Sequence, residues 1–393
     1  MKICQVVPCF PYQDYLQGKT VEKRYHIGGV ERHVFEISKA LIKKGHVITV
    51  LTTRSPLHKR YHEIGEIKVV RVPYGIPLYS SSIPFHLFWH LNQYDYDLIH
   101  AHTPNPTIAD LACLKNRKKI PFVLTYHNDI TKEGYIGKII SRLYNITLGG
   151  FLLKNSDLII TTTRSYAEKS VSLKGFNHKV KVIPNGVNLN KFNKGIDREQ
   201  IKVEYSIPIQ SKVVLFTGAI EEYKGVEYLI KAFKKVLNYE KTSYLIIVGS
   251  GTLLKQLKEM TLELEISDNV IFAGYVKDGD LPYYYSACDL FVLPSTSEKE
   301  GFGIVQLEAM ASGKPVICTN LPGVNEVDKD EVASIHVPPK NSEALANAIL
   351  KLLEDGDLAR KMGENGRKLV EEKYTWEKIA EETEKVYYGV LSP

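Results

Sequence analysis

Two carboxylates seven residues apart carry the most legible chemistry in this chain. The segment Glu300-Gly-Phe-Gly-Ile-Val-Gln-Leu-Glu308 follows an apolar strand, Leu290-Phe-Val-Leu-Pro294, and runs on into Ala309-Met-Ala-Ser-Gly-Lys-Pro-Val316. A strand, a glycine-bearing loop and a helix start present backbone N–H groups to a phosphate. Here one acid precedes the turn and the other lies inside the helix. Phosphate donors at Phe302, Gly303 and Ile304, with hydroxyl acceptors at both ends, suit a nucleotide-sugar. At about 100° per residue, Ile304, Leu307, Met310 and Ala311 make an apolar stripe with Glu308 at its edge. A carboxylate there needs a hydrogen-bond partner. The partner is either a neighbouring backbone N–H or arginine, or the hydroxyls of a ribose, as at the acidic residue of a dinucleotide fold.

Further candidates lie at strand ends and glycine turns. Gly28-Gly29 precedes a helix predicted over about 29–44, where paired glycines allow close backbone approach to a ligand. His127 follows the strand Pro121–Thr125, and His100 and His102 sit on the strand before it; a strand-end histidine is either structural or directed at a ligand. Pro184-Asn185-Gly186 is a turn, read as a linker or as a cleft element. Phe216-Thr-Gly218 leads to Lys224, a single point charge, and Val248-Gly249-Ser-Gly251 ends a strand before a helix.

These motifs resemble the donor site of retaining family-four glycosyltransferases with the GT-B fold, and the resemblance covers nearly the whole chain. It implies that His127 bonds the donor sugar, that Glu300 binds sugar hydroxyls and Glu308 the ribose, and that Gly29, Gly218 and Lys224 face the diphosphate. It places Gly249, Tyr275 and Val276 along the base and phosphate side, and turns Asn185 and Gly186 toward the cleft. Family members usually carry an arginine after Gly218. This chain has Ala219, which removes a bidentate phosphate ligand.

The elements that must position these residues follow from the strand–helix rhythm. Strands are expected at 3–7, 47–52, 69–72, 98–102, 122–126, 158–162 and 180–184, then at 213–217, 245–249, 270–273, 290–293, 316–319 and 335–337, with helices between. This α/β alternation predicts two Rossmann-like, doubly wound parallel domains, residues 1–188 and 189–374, with a ligand cleft at the carboxyl ends of the strands. A helix over 375–393 crosses back to the first domain if the resemblance holds.

At 393 residues the chain accommodates two cores. A net charge of +6 is too dispersed to point to nucleic acid. Five cysteines, none in a C-x-x-C pair, fit free thiols in a reducing compartment. The first residues read as a strand rather than a signal peptide, and no apolar run reaches about 18 residues. The expected location is therefore cytoplasmic, with the cytoplasmic membrane face as the alternative. Two segments carry that alternative: Tyr79–Leu91, with Ile83, Phe85, Leu87, Phe88 and Trp89, and the amphipathic stretch Ile136–Leu153, with Lys138 and Arg142. The cluster Lys115-Asn-Arg-Lys-Lys119 reads as a solvated helix end. Four Asp-x-Asp pairs, at 95/97, 278/280, 328/330 and 355/357, look like chance, so no required metal or cofactor is expected.

The expected activity is transfer of a sugar from a nucleoside-diphosphate sugar to the hydroxyl of an unidentified glycan, lipid-linked or small-molecule acceptor. A nucleotide-sugar epimerase on the same fold and a non-catalytic nucleotide-sugar-binding homologue are the alternatives.

Overall fold

A computed structural model describes residues 1–12, 28–54, 61–73, 76–78, 81–84, 90–91, 93–103, 108–116, 119–130 and 134–392. The candidate interfacial residues Phe85, Leu87, Phe88 and Trp89 lie outside the described residues, as does Arg117 of the basic cluster. The chain divides into two units: Met1–Asn185 with Trp376–Pro393, and Gly186–Thr375.

Among the described residues, unit 1 is built on an eight-stranded sheet in the order β10 (Val180–Val182), β9 (Leu158–Thr161), β8 (Phe122–Tyr126), β7 (Leu98–Thr103), β1 (Lys2–Val6), β2 (Val47–Arg54), β4 (Ile67–Pro73) and β3 (Tyr61–Ile64). The strands that matter for the site are β1 (Lys2–Val6), β7 (Leu98–Thr103) and β8 (Phe122–Tyr126). They pair in parallel, with Gln5 beside His100 and His102 beside Thr125. The sheet runs parallel except at β3 (Tyr61–Ile64), which turns back antiparallel on β4 (Ile67–Pro73). Strand β3 was not foreseen: Tyr-His-Glu-Ile is a short, polar edge strand with little hydrophobic pattern. A two-stranded antiparallel ribbon, β5 (Ile76–Leu78) with β6 (Ser81–Ile83), was also unforeseen.

The first helix, Gly29–Lys43, is capped by Glu31, whose carboxylate accepts the Gly28 N–H at 2.8 Å. It buries Val34, Ile37 and Leu41 on the sheet. The last helix, Trp376–Leu391, belongs to the same core through Trp376, Ile379, Ala380, Val386 and Tyr387.

Unit 2 is a six-stranded, all-parallel sheet in the order β13 (Val270–Gly274), β12 (Tyr244–Val248), β11 (Val213–Thr217), β14 (Leu290–Leu293), β15 (Val316–Thr319) and β16 (Ser334–Val337). The central pair is β11 (Val213–Thr217) and β14 (Leu290–Leu293). Every residue of both strands is buried, the signature of a sheet covered on both faces. From β11 the chain winds outward to β12 and β13, then returns to the other side at β14. The β11/β14 border is therefore the point where strand order reverses, where open α/β sheets bind ligands at their carboxyl ends.

No helix among the described residues is long and apolar enough to cross a membrane.

Candidate active site

The loops at the carboxyl ends of β11 and β14 bring the predicted unit 2 residues together. Lys224 lies just beyond β11, in the single turn Glu222–Lys224. Its Nζ donates to Glu300 Oε2 at 2.5 Å, and Ser295 Oγ donates to the same oxygen at 3.1 Å. Lys224 and Glu300 are each 8% exposed. Burial, the largest single effect, pulls the Lys224 ammonium toward neutrality, but the Glu300 carboxylate and the Tyr223 phenol together outweigh it and the net shift is upward. The pair is thus a partly desolvated ion pair held by one further hydroxyl, an arrangement in which removing either partner strands a charge.

The helix that follows, Ile304–Ala311, starts at Gly303. This residue sits at φ +75°, and a Cβ there would fall 2.5 Å from Leu293 Cδ2, so both conformation and space require glycine. The site of that Cβ is 3.8 Å from Glu300 Oε1, which places the acid beside the first, unpaired N–H groups of the helix. Gln306 holds the turn by donating to the carbonyls of Phe302 and Val324.

Glu308 departs from the sequence expectation. It is not on a half-exposed edge: the helix is buried from Gln306 through Ala311, with Glu308 only 5% exposed. The sheet covers one side and the helix Gly356–Lys373 packs on another. One of its partners is Tyr285, whose hydroxyl donates to Glu308 Oε2 at 2.8 Å and lies 2.7 Å from Thr217 Oγ1. Burial first, and then the neighbouring Glu308 charge, push the Tyr285 phenol well above its usual range. It therefore acts here as a hydrogen-bond donor. Tyr285, Thr217 and Ser295 were missed in the sequence, since a lone Tyr in Pro-Tyr-Tyr-Tyr and hydroxyls at strand ends carry no distinctive pattern.

The remaining unit 2 candidates occupy the same rim or border it. Gly218 and Gly249 end β11 and β12 (Tyr244–Val248); a Cβ on Gly249, at φ +139°, would run into the Gly218 carbonyl oxygen. Ala219 is exposed. Tyr275 is 65% exposed, Val276 packs against the core, and the Phe302 ring is buried near Tyr374. Of the Asp-x-Asp pairs, Asp278 pairs with Lys191, Asp328 accepts from Ala333 N and Ser334, and Asp355 caps Gly356–Lys373.

Unit 1 gathers a second group. His127, just past β8, joins His102 on β7 and His33 on the first helix. His33 escaped the sequence reading because it stands on the helix's buried face, where a histidine reads as packing. His102 Nδ1 lies 3.4 Å from His127 Nε2, and the rings of His33 and His127 meet edge-on at 5.2 Å. Asn185 Oδ1 accepts from His33 Nδ1 at 2.8 Å, so this buried amide is committed inside unit 1, while Gly186 opens unit 2. Gly29 begins the helix that carries His33. Burial holds His33 down at about 4 and His100 down at about 3, and drives His102 and His127 well below the ordinary imidazole range, with neighbouring imidazoles adding repulsion for the latter three. All four are neutral at pH 7.

Residues 197–369 match the model described as glycosyl transferases group 1, and residues 27–191 match the model of glycosyltransferase family 4. An uncharacterized glycosyltransferase of Methanocaldococcus jannaschii is 33% identical over 382 residues, covering 92% of this chain and 94% of the relative. The chain belongs to the family-four glycosyltransferases. The O-antigen chain mannosyltransferase C of Escherichia coli is 28% identical over 373 residues, at 93% and 95% coverage. Among solved structures, the sucrose-phosphate synthase of Thermosynechococcus elongatus superposes with a TM-score of 0.78 at 25% identity, over 100% of this chain and 99% of that one. The fold of this glycosyltransferase is accordingly GT-B, as the sequence motifs implied.

Proposed function

We propose that this glycosyltransferase moves a sugar, with retention of anomeric configuration, from a nucleoside-diphosphate sugar to an acceptor hydroxyl. The observation that carries the reading is the Lys224–Glu300 pair set beside the N-terminus of the helix Ile304–Ala311 at the reversal point of the unit 2 sheet. As the glycosidic bond to phosphate breaks, negative charge grows on the diphosphate. The Lys224 ammonium and the helix-start N–H groups of Gly303 and Ile304 answer that charge without reorganising. Glu300, already shared with Lys224 and Ser295, accepts from hydroxyls of the donor sugar. Glu308, oriented by Tyr285, accepts from the ribose. Tyr275 and Val276 border the base, Gly218 and Gly249 keep the backbone close to the phosphates, and Gly29 serves the same end from unit 1. His127, neutral at working pH, bonds a hydroxyl of the reacting sugar. A departing phosphate oxygen takes the acceptor proton, so transfer needs neither a dedicated base nor a metal or other cofactor.

The same reading places the enzyme in the cytoplasm against an anionic membrane face. The helix Gly134–Tyr144 and the turns after it expose Tyr135, Ile139, Leu143 and Ile146, at 83%, 51%, 62% and 70%. Steps of four, four and three put them on one stripe, and Lys138 and Arg142 lie on the same helix. All five cysteines are free thiols, as a reducing compartment requires.

The test is thermal unfolding with UDP-, GDP- and ADP-sugars for wild type and Glu308→Gln, followed by NMR of the product's anomeric configuration. A donor at about 100 times its dissociation constant stabilises by about 2.7 kcal/mol. One nucleotide class should stabilise the wild type and not the variant, and product and donor should share configuration. Equal stabilisation of both proteins rules out the ribose role, and an inverted product rules out retention.

A further inference from the structure

We propose that His33, His102 and His127 of unit 1 form a binding site for a transition-metal dication of the zinc class. Their three ligand atoms lie within 4.8 Å of one another, and all three side chains are buried. The hydrogen bonds around them decide which nitrogen each presents. Asn185 Oδ1 can only accept, so His33 carries its proton on Nδ1 and offers Nε2. Gln5 Oε1, 2.8 Å from His102 Nε2, likewise fixes that proton outward and leaves the His102 Nδ1 lone pair facing His127. Gln5 is itself oriented, because its Nε2 donates to Tyr387 Oη at 3.3 Å. Carbonyl acceptors on the outer nitrogens of converging imidazoles are the arrangement that fixes tautomer and raises basicity in histidine metal sites.

The dimensions agree. Zinc–nitrogen bonds of about 2.0–2.1 Å in a tetrahedron separate the ligand atoms by about 3.3 Å. His102 Nδ1 and His127 Nε2 are already 3.4 Å apart, and the His33 ligand atom lies within 4.8 Å of both. Three neutral nitrogens with no carboxylate among them select zinc-class ions over magnesium or calcium, and burial keeps these rings unprotonated.

Occupation has a chemical consequence at His127. Without metal, His102 Nδ1 is an acceptor, so the His127 proton resides on Nε2 and its Nδ1 is an open lone pair. A metal on Nε2 relocates that proton to Nδ1 and turns an acceptor into a donor. For the sugar contact this consequence rests on the role proposed for His127; the metal site itself does not.

The experiment uses the full chain stripped with chelator and titrated with zinc alone. Bound zinc is counted by elemental analysis, its ligands by X-ray absorption, and the histidine tautomers by ¹⁵N NMR. The expected result is one tightly held zinc per chain with three imidazole ligands, and a His127 proton that moves from Nε2 to Nδ1. Folded His33→Ala should lose the site, and Gln5→Leu should weaken it about tenfold or more. X-ray absorption on the wild type decides the matter even where a variant does not fold: a shell of fewer than three imidazoles overturns the proposal. So does zinc uptake that is equal in wild type and folded His33→Ala.

Discussion

Four buried neutral histidines make unit 1 acid-sensitive in a calculable way. His33, His100, His102 and His127 all have folded pKa values depressed by burial, to about 4 for the first and about 3 for the second. In the unfolded chain each titrates near 6.5. The unfolded state therefore binds more protons below pH 6.5, and stability falls as pH drops from there toward the folded values. Between pH 7.5 and pH 5.5 each histidine costs about 1.3 kcal/mol, and the four together about 5 kcal/mol. Glu31, whose carboxyl is raised by burial, acts in the opposite sense but is one group against four. Five kcal/mol is comparable to the whole stability of a typical domain and, at a urea slope of about 2–3 kcal/mol per molar, lowers the midpoint by about 2 M. The chain offers a local probe, because both tryptophans, Trp89 and Trp376, fall within the unit 1 segments, and the Trp376 ring contacts His33 at 5.3 Å. Urea titrations followed by tryptophan fluorescence at the two pH values should show the shift. A midpoint that moves by less than about 0.5 M would refute the claim that these imidazoles are held neutral by burial.

Removing one partner of the Lys224–Glu300 pair should be worse than removing both. Lys224→Met and Glu300→Gln each leave a buried polar group short of its partner, with about 3 kcal/mol or more lost for a stranded charge, whereas the double variant recovers part of that loss; additive losses in a denaturation cycle would show the pair to be uncoupled. In turnover, Lys224→Met should lower kcat by about 10²–10³, as expected for a group that meets charge in the transition state, and an effect confined to KM would contradict that role. Gly249→Ala sets a methyl against the Gly218 carbonyl at a positive φ and should lower the unit 2 melting temperature markedly; a wild-type melting curve would mean that the β11 and β12 loops are not so closely set. Leu143→Glu with Ile146→Glu should abolish co-sedimentation with anionic phospholipid vesicles while leaving donor binding intact, and undiminished sedimentation would remove the stripe from the interface.

What could be read from the sequence divides along a physical line. The central strands were legible because a sheet buried on both faces demands continuous apolar runs, as in Val213-Val-Leu-Phe-Thr217 and Leu290-Phe-Val-Leu293. Glu300, Gly303 and Lys224 were legible because a turn at positive φ and a charge at a strand end leave local marks. What escaped needed contacts between distant positions. Tyr285 meets Glu308 across 23 residues, and His33 meets Asn185 across 152. Neither spacing has a period, and each partner alone resembles ordinary packing. Glu308 shows the limit most clearly. Helical periodicity located it at an edge because periodicity sees one helix at a time, whereas its burial comes from a second helix, Gly356–Lys373, more than 40 residues further on. A buried carboxylate in that position needs donors, and one of them is a phenol whose own pKa is driven upward, so that it remains a committed donor. Replacing Tyr285 with Phe should therefore act on Glu308 rather than on the core. The ring volume stays and the hydrogen bond goes, a loss of about 1–3 kcal/mol for a buried group deprived of one donor. If the carboxylate serves the ribose through this contact, donor affinity should fall in Tyr285→Phe, and adding Tyr285→Phe to Glu308→Gln should cost no more than Glu308→Gln alone. A donor affinity that falls further in the double variant than in Glu308→Gln would mean that Tyr285 touches the ligand itself.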